Sequence, residues 1–275
     1  MNIRHHSKKI VVTAAVVAIV GILGWIVLTP HQTAAPSTPP PSEQVSKPTQ
    51  PPDVMVSLPR ATPIVALKED YASDASVWRV VSKDYPLNNP HYTPTVSLAT
   101  VATRSDKPRE ERSLRTDILP AVEALFAAAK NQGYDLMIGS GYRSYEQQAI
   151  YYNSYVAKNG QEVADTFSAR PGRSEHQTGL TFDISYVDRS CYLDTCFGDT
   201  AAGKWLATHA TEYGFILRYP KDKISVTKYT YEPWHFRYVG KDLARALSQS
   251  ELALDEAKPY LDAALSELKQ RSQVK

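Results

Sequence analysis

The sequence has few cysteines, little net charge and almost no aromatic side chains in its first 70 residues. Two cysteines in 275 residues are too few for a disulfide scaffold or for a cysteine-rich zinc module. A formal net charge of +2 argues against an electrostatic nucleic-acid binder, so we expect no nucleic-acid partner. Of the 4 Trp, 17 Tyr and 6 Phe residues, only Trp25 precedes Tyr71, whereas 9 of the 19 prolines lie between Pro30 and Pro59. The first 70 residues therefore differ in composition from the rest of the chain.

Residues 10–28 form an uncharged apolar run that follows Arg4, Lys8 and Lys9. As a helix this run spans about 28 Å, close to the roughly 30 Å hydrocarbon core of a bilayer. The basic flank predicts a cytoplasmic N-terminus and an exported remainder. We therefore expect residues 1–29 to be a cytoplasmic start and a single-pass membrane anchor. A cleaved signal peptide and a secreted protein are the alternative.

The two segments that follow residue 29 differ from each other in composition and in the periodicity of their apolar residues. Residues 30–62 are rich in proline, serine and threonine and poor in large apolar groups, which predicts a disordered linker. Residues 63–275 are predicted to be one extracellular domain. In it, helical spacing at 113–132 and 203–213 occurs together with short strand signals at 178–186, 215–218 and 235–239. Helices grouped around a few short strands are typical of a compact α+β domain.

Ligand-type side chains gather in two short motifs, SEHQTGLTFD at 174–183 and YEPWHFRYV at 231–239. A glycine turn and an alternating strand signal separate His176 from Asp183, and His235 begins a second strand. The three side chains can therefore converge across neighbouring strands. Two imidazoles and one carboxylate suit a zinc ion, with a fourth position left for water.

Three further residues have suitable chemistry near such a site. Glu232 lies three residues before His235, a position suited to a general base. Arg143, in GSGYRS, offers paired donors for a carboxylate or an oxyanion, and Gln148 follows it on the next helix. Taken singly, a histidine is more often a core or surface residue and Arg143 more often forms a surface salt bridge. Their combination in one domain favours the metal site.

The two motifs resemble those of the VanY-type D-alanyl-D-alanine carboxypeptidases, in the LAS group of zinc peptidases. Residues 174–183 match the family pattern S-x-H-x-x-G-x-A-x-D, with Thr181 in place of the usual alanine, and residues 232–235 match E-x-x-H. The segments SGYRSYEQQ and GKWLATHATEYGFILRYP are also similar. The resemblance covers residues 113–249 and implies a compact LAS-type zinc peptidase domain, with a small antiparallel sheet flanked by helices.

The resemblance also implies a role for each candidate residue. One zinc ion would be bound by His176, Asp183 and His235. The implied catalytic residues are Glu232, as the base, and Arg143. The groups that would hold the substrate's terminal carboxylate or its reacting carbonyl are Arg143, Gln148 and Ser174. The implied partners are peptidoglycan stem peptides ending in D-alanine, from which the enzyme, expected to be a monomer, releases that residue.

Other functions remain open at this point. The same residues could serve an L,D-carboxypeptidase that acts on tetrapeptide stems, or an endopeptidase that trims cross-links. A non-catalytic cell-wall-binding module with structural zinc belongs to a different class, and Glu232 together with an open fourth position argues against it.

The two cysteines, Cys191 and Cys196, lie close together in a predicted surface loop. In an exported protein a local disulfide between them and a pair of free thiols are both open. A second metal site in this loop is not expected, because no further cysteine or histidine lies nearby to complete it.

Overall fold

Short strands alternate with helices along the chain. The computed structural model describes residues 53–60, 65–67 and 69–273. The strands are β1 (Val54–Val56), β2 (Val65–Leu67), β3 (Val96–Leu98), β4 (Ser113–Arg115), β5 (Leu136–Ser140), β6 (Thr181–Tyr186), β7 (Phe215–Leu217) and β8 (His235–Tyr238). The α-helices are α1 (Leu119–Asn131), α2 (Tyr145–Asn159), α3 (Gln161–Phe167), α4 (Ala201–His209), α5 (Ile224–Thr227), α6 (Lys241–Ser250) and α7 (Leu254–Gln273). The predicted combination of helices and short strands is confirmed.

Four strands form an antiparallel sheet in the order β5-β6-β8-β7. Side chains of β6 alternate between the two faces, so Phe182 points to one side and Asp183 to the other. Phe182 packs with side chains of α1 and α4 in the apolar core, directly opposite Phe236 of β8. The apolar alternation therefore decides which face of the sheet is core, and it leaves the other face to polar side chains.

Strand β1 lies within the segment 30–62 that we predicted to be a disordered linker. It pairs antiparallel with β2, and Val54, Val56 and Leu58 are buried in a second apolar cluster with α6 and α7. Met55, between the two valines, is exposed, so the alternation is that of a half-buried strand. The proline-rich neighbours obscured this three-residue signal. Packed structure thus includes residues upstream of the predicted boundary at residue 63.

The prediction of a single-pass membrane protein is corrected by the helices of the structure. Among residues 53–60, 65–67 and 69–273, no helix combines the length and the apolar character that crossing a bilayer requires. The longest of them, α7, buries Leu261 and Leu265 on one side but carries charged residues such as Lys258 and Asp262 on its surface. The proposed anchor at residues 10–28 lies outside the described residues.

A disulfide joins Cys191 and Cys196, which settles the question that the sequence left open. The loop between them is anchored at its C-terminal end, where Asp194 accepts a hydrogen bond from the Cys196 amide. Phe197, directly after the loop, is fully buried in the core beside α4. The cross-link therefore closes a short loop against the core of the domain.

The burial of β1 predicts a difference in stability between two neighbouring substitutions. Val56→Ala removes two methyl groups from a side chain that is 1% exposed, so the free energy of unfolding should fall by about 2 kcal/mol. Met55→Ala, on the exposed face of the same strand, should change it by less than about 0.5 kcal/mol. Urea unfolding of both variants measures this difference. Equal values would show that β1 does not contribute to the core.

Candidate metal centre

Three ligand-type side chains converge on the polar face of the four-stranded sheet. Asp183 and His235 lie directly opposite each other on β6 and β8, with 3.4 Å between Asp183 Oδ1 and His235 Nδ1. Asp183 Oδ2 is 3.5 Å from His176 Nε2. One ligand atom from each of the three residues lies within 4.8 Å of the others, and all three side chains are buried. The strand register thus brings together residues that are far apart in the sequence.

His176 reaches this pair through a single 3₁₀ turn, Glu175–Thr178, which ends at Gly179. Gly179 has a φ of +68°, in the left-handed region that favours glycine. A Cβ at this position would lie 3.1 Å from the backbone nitrogen of Arg115. The glycine of the motif therefore allows the chain to turn from His176 directly into β6.

The two nitrogens of His176 have different surroundings. Its Nδ1 is 2.7 Å from the carbonyl oxygen of Gly141, which can only accept, so Nδ1 carries the proton. Nε2 is then left with a lone pair, and it faces Asp183. Burial lowers the pKa of His176, which favours the neutral imidazole that metal ligation requires.

His235 is oriented the opposite way. Its Nδ1 faces Asp183 and lies 3.5 Å from Glu232 Oε2, while its Nε2 lies 3.4 Å from Glu175 Oε2. Burial by itself would lower the pKa of His235, but the neighbouring carboxylates of Asp183 and Glu175 outweigh burial and raise it to about 9. A proton and a metal ion would therefore compete for this imidazole.

The residues fit a zinc ion. Asp183 Oδ1 is buried and has no hydrogen-bond partner among the residues that the structure describes, which is costly for a carboxylate oxygen unless a cation occupies the space it faces. Zinc ligands at about 2.0–2.2 Å in a tetrahedron lie about 3.3–3.6 Å from one another. The separations from Asp183 to His176 and to His235, 3.5 Å and 3.4 Å, fall in this range. Two imidazole nitrogens and one carboxylate are also a donor set typical of catalytic zinc sites.

Glu232 lies beside these ligands, in the turn before β8. The carboxyl group is buried, and burial raises its pKa to about 7, with the nearby His235 acting in the opposite direction. A carboxyl group whose pKa lies near neutral pH can both accept and return a proton. The position and the electrostatics of Glu232 are thus those expected for a general base.

A second polar group lies on the other side of the same cleft. The guanidinium of Arg143 donates from Nη1 to Gln148 Oε1 at 2.9 Å and from Nη2 to Ser140 Oγ at 2.9 Å. Its Cζ lies over the Tyr151 ring, 5.1 Å from the ring centroid. Ser144 begins α2 by accepting from the Gln147 amide, which fixes the direction of the helix that carries Gln148. The Nε atom of Arg143 is buried and has no hydrogen-bond partner among the described residues. Arg143 itself lines the cleft, so it brings a charged guanidinium to the wall of the cleft.

The cleft has a volume of about 340 Å³. Aromatic side chains, among them Tyr219, Tyr229 and Trp234, contribute to its walls. The candidate residues that the sequence predicted all line it, although they come from four separate segments of the chain. They are Arg143, Gln148, Ser174, His176, Asp183, Glu232 and His235.

The sequence reasoning missed three charged residues near the cleft, namely Glu175, Arg218 and Arg237. All three side chains are fully buried, and Glu175 Oε1 accepts from Arg218 Nε and from Arg237 Nη1, each at 2.7 Å. One signal was present, because His235 and Arg237 are two residues apart and therefore share a face of β8. Glu175 falls at an x position of the pattern S-x-H-x-x-G-x-A-x-D, to which the pattern assigns no role.

A mixed α/β domain with a buried His-Asp-His cluster, an adjacent glutamate and an open cleft defines a metallopeptidase-type site. Comparison with known proteins identifies the group. Residues 111–241 match the model of the VanY family, described as D-alanyl-D-alanine carboxypeptidase. YodJ of Bacillus subtilis (strain 168) is 39% identical over 188 residues, which cover 68% of this chain and 69% of YodJ. The chain belongs to the VanY family and is a metallocarboxypeptidase.

Solved structures agree with this assignment. The structure of the LdcB LD-carboxypeptidase is 41% identical, with a TM-score of 0.62, and the match covers 66% of this chain and 84% of LdcB. The vancomycin resistance D,D-pentapeptidase VanY from a VanB-type cassette, determined as a variant in complex with Zn(II), is 29% identical with a TM-score of 0.55. That match covers 66% of this chain and 98% of the VanY chain. The predicted LAS-type peptidase fold with a small antiparallel sheet is thus confirmed.

The protonation of His235 predicts a pH dependence of zinc affinity. Because a metal must displace a proton from an imidazole with a pKa of about 9, the apparent affinity should rise about tenfold for each pH unit between pH 7 and 8.5. Competition against a chelator of known pH dependence measures this slope. An affinity that does not change over this range would contradict a protonated His235 in the zinc-free site.

Proposed function

We propose that this protein is a zinc-dependent D-alanyl-D-alanine carboxypeptidase that removes the terminal D-alanine from peptidoglycan stem peptides, acting as a monomer with one zinc ion. The observation that carries the proposal is the buried Asp183 carboxylate between two imidazoles, with Glu232 beside them. Its Oδ1 has no hydrogen-bond partner within the described part of the chain. The Zn(II) in the related VanY structure supports the identity of the metal. The zinc would be held by His176, Asp183 and His235.

When bound, a zinc ion supplies Lewis-acid activation of water and of the scissile carbonyl. Glu232 accepts the proton of the attacking water as the new carbon–oxygen bond forms. It then delivers this proton to the nitrogen of the leaving D-alanine as the peptide bond breaks. The raised pKa of Glu232 suits both steps, because the group holds a proton readily and releases it readily near neutral pH.

Arg143 accounts for cleavage at the chain end. Its guanidinium is fixed by Gln148 and Ser140, and the residue lines the cleft. A terminal carboxylate is the natural acceptor for such a group, and an internal peptide bond does not offer one. Ser174 and Gln148 line the same cleft and would contact the carboxylate or the reacting carbonyl.

A second candidate function is L,D-carboxypeptidase activity on tetrapeptide stems. One observation favours it, since the LdcB LD-carboxypeptidase is 41% identical to this chain, whereas the D,D-pentapeptidase VanY is 29% identical. Both reactions release a terminal D-alanine and use the same zinc ligands, base and carboxylate-binding group. They differ in the configuration of the residue that precedes the scissile bond.

Glu232→Gln tests the role of the base separately from metal binding. The amide is isosteric but cannot accept the proton of water, so the turnover number should fall by about 100- to 10,000-fold. Zinc content, measured by atomic emission, should stay near one ion per chain. Glu251→Gln, an exposed residue paired with Arg60, is the matched control and should keep full activity. Loss of zinc in the Glu232 variant would show instead that this residue is a ligand.

Defined stem peptides test the substrate and the bond. After incubation of tri-, tetra- and pentapeptide stems with the zinc-loaded chain, mass spectrometry should show the pentapeptide losing one D-alanine. Its C-terminal amide should react at least about 100-fold more slowly, because Arg143 then lacks a carboxylate partner. Conversion of tetrapeptide to tripeptide would assign the L,D reaction. Equal cleavage of the amide, or cleavage within the stem, would contradict a carboxypeptidase.

A further inference from the structure

Glu175 lies next to a proposed zinc ligand and takes no part in the proposed hydrolysis. It precedes His176 in the 3₁₀ turn, and its side chain is completely buried in the wall of the cleft. A carboxylate in such a position is unfavourable unless its oxygens are paired. One of its two oxygens contacts arginines, and the other contacts His235.

Oε1 of Glu175 is used by arginines. It accepts from Arg218 Nε and Arg237 Nη1, both at 2.7 Å. Oε2 faces His235 Nε2 at 3.4 Å and the hydroxyl of Thr181 at 3.4 Å. The arginines therefore hold the carboxylate in one orientation, with its second oxygen directed at the imidazole.

We propose that Glu175 is a positioning residue for the metal centre, which accepts the Nε2 proton of His235 and so keeps the Nδ1 lone pair directed at the zinc. This inference rests on the proposed zinc site. Nδ1 is the nitrogen that faces Asp183 and Glu232, so the opposite tautomer would place a proton where the metal belongs. The carbonyl oxygen of Gly141 fixes the tautomer of His176 in a similar way, because it accepts the Nδ1 proton and leaves the Nε2 lone pair for the zinc.

The surroundings of Glu175 supply positive charge to its carboxylate. The guanidinium groups of Arg218 and Arg237 each lie 2.7 Å from Oε1, and all three side chains are fully buried. Asp255 of α7 pairs with Arg218 from the other side. Two buried cations thus face two carboxylates, and Glu175 remains an acceptor.

The groups that support this arrangement lie partly outside residues 111–241. Arg237 Nη2 donates to the carbonyl oxygens of Val77 and Arg79, and Arg218 Nη2 donates to that of Val81. Asp255 lies on the C-terminal side. Segments outside the family match therefore supply the remaining hydrogen-bond acceptors of the two arginines. The arginines in turn hold Glu175 in place.

Glu175→Gln in the full-length chain tests the proposal. The arginines require an acceptor, so they would take the amide oxygen and turn the amide NH₂ toward His235 Nε2. This favours the tautomer with Nδ1 protonated. We expect the zinc dissociation constant, measured by chelator competition, to rise 10- to 100-fold. The d–d absorption spectrum of the cobalt-substituted protein should also shift.

Glu212→Gln is the matched control, because Glu212 also contacts a histidine nitrogen, Nδ1 of His209, but in an exposed pair. Its zinc affinity should equal that of the wild-type chain. If Glu175→Gln is folded by circular dichroism and binds zinc as tightly as wild type, the proposal is overturned. If the wild-type chain itself binds no zinc, the proposed function fails instead, so the two failures are distinguishable.

A second measurement does not depend on the folding of a variant. Long-range ¹H–¹⁵N correlation spectra of the histidine-labelled, zinc-loaded wild-type chain report which nitrogen of each ring carries the proton. The proposal requires His235 to ligate through Nδ1 with Nε2 protonated. Ligation through Nε2, or an unprotonated Nε2, would overturn it.

Discussion

The register between β6 and β8 is the constraint on which the site depends. It sets Asp183 opposite His235 and, one residue away, Phe182 opposite Phe236. Because side chains alternate along a strand, the same register directs the phenylalanines into the core and the ligand-type side chains to the cleft. A slip of one residue would place a carboxylate in the core and expose an aromatic ring. The free energy that stabilises the core therefore also enforces the geometry of the metal centre.

The polar face of the sheet is buried as well, and this sets the protonation of its groups. His176, next to a carbonyl oxygen, is held neutral by burial, whereas His235, between two carboxylates, gains affinity for a proton. Burial raises the pKa of Glu232, whereas the pKa of Asp183 stays low despite burial, because the imidazoles of His176 and His235 both lie beside it. The two histidines, and likewise the two carboxyl groups, thus differ in protonation because their neighbours differ.

The ligands and the base of the site could be predicted from the sequence, whereas the buried residues that support them could not. His176, Asp183, Glu232 and His235 occur in motifs of fixed local spacing, and alternation in β6 indicated which face they share. Glu175 pairs with Arg218 and Arg237 across 43 and 62 residues, and no local pattern reports a contact of that kind. Strand β1 was not predicted, because an alternation over three residues among prolines is too short to recognise in the sequence. Packing against α6 and α7 stabilises the strand.

The proposed hydrolysis requires one zinc ion bound between β6, β8 and the 3₁₀ turn before β6. A crystal structure of the zinc-loaded chain, with anomalous differences measured at the zinc edge, tests this requirement. We expect one peak at about 2.0–2.2 Å from His176 Nε2, an Asp183 carboxylate oxygen and His235 Nδ1. A peak elsewhere, or one with Glu232 as a ligand in place of any of these three, would contradict it.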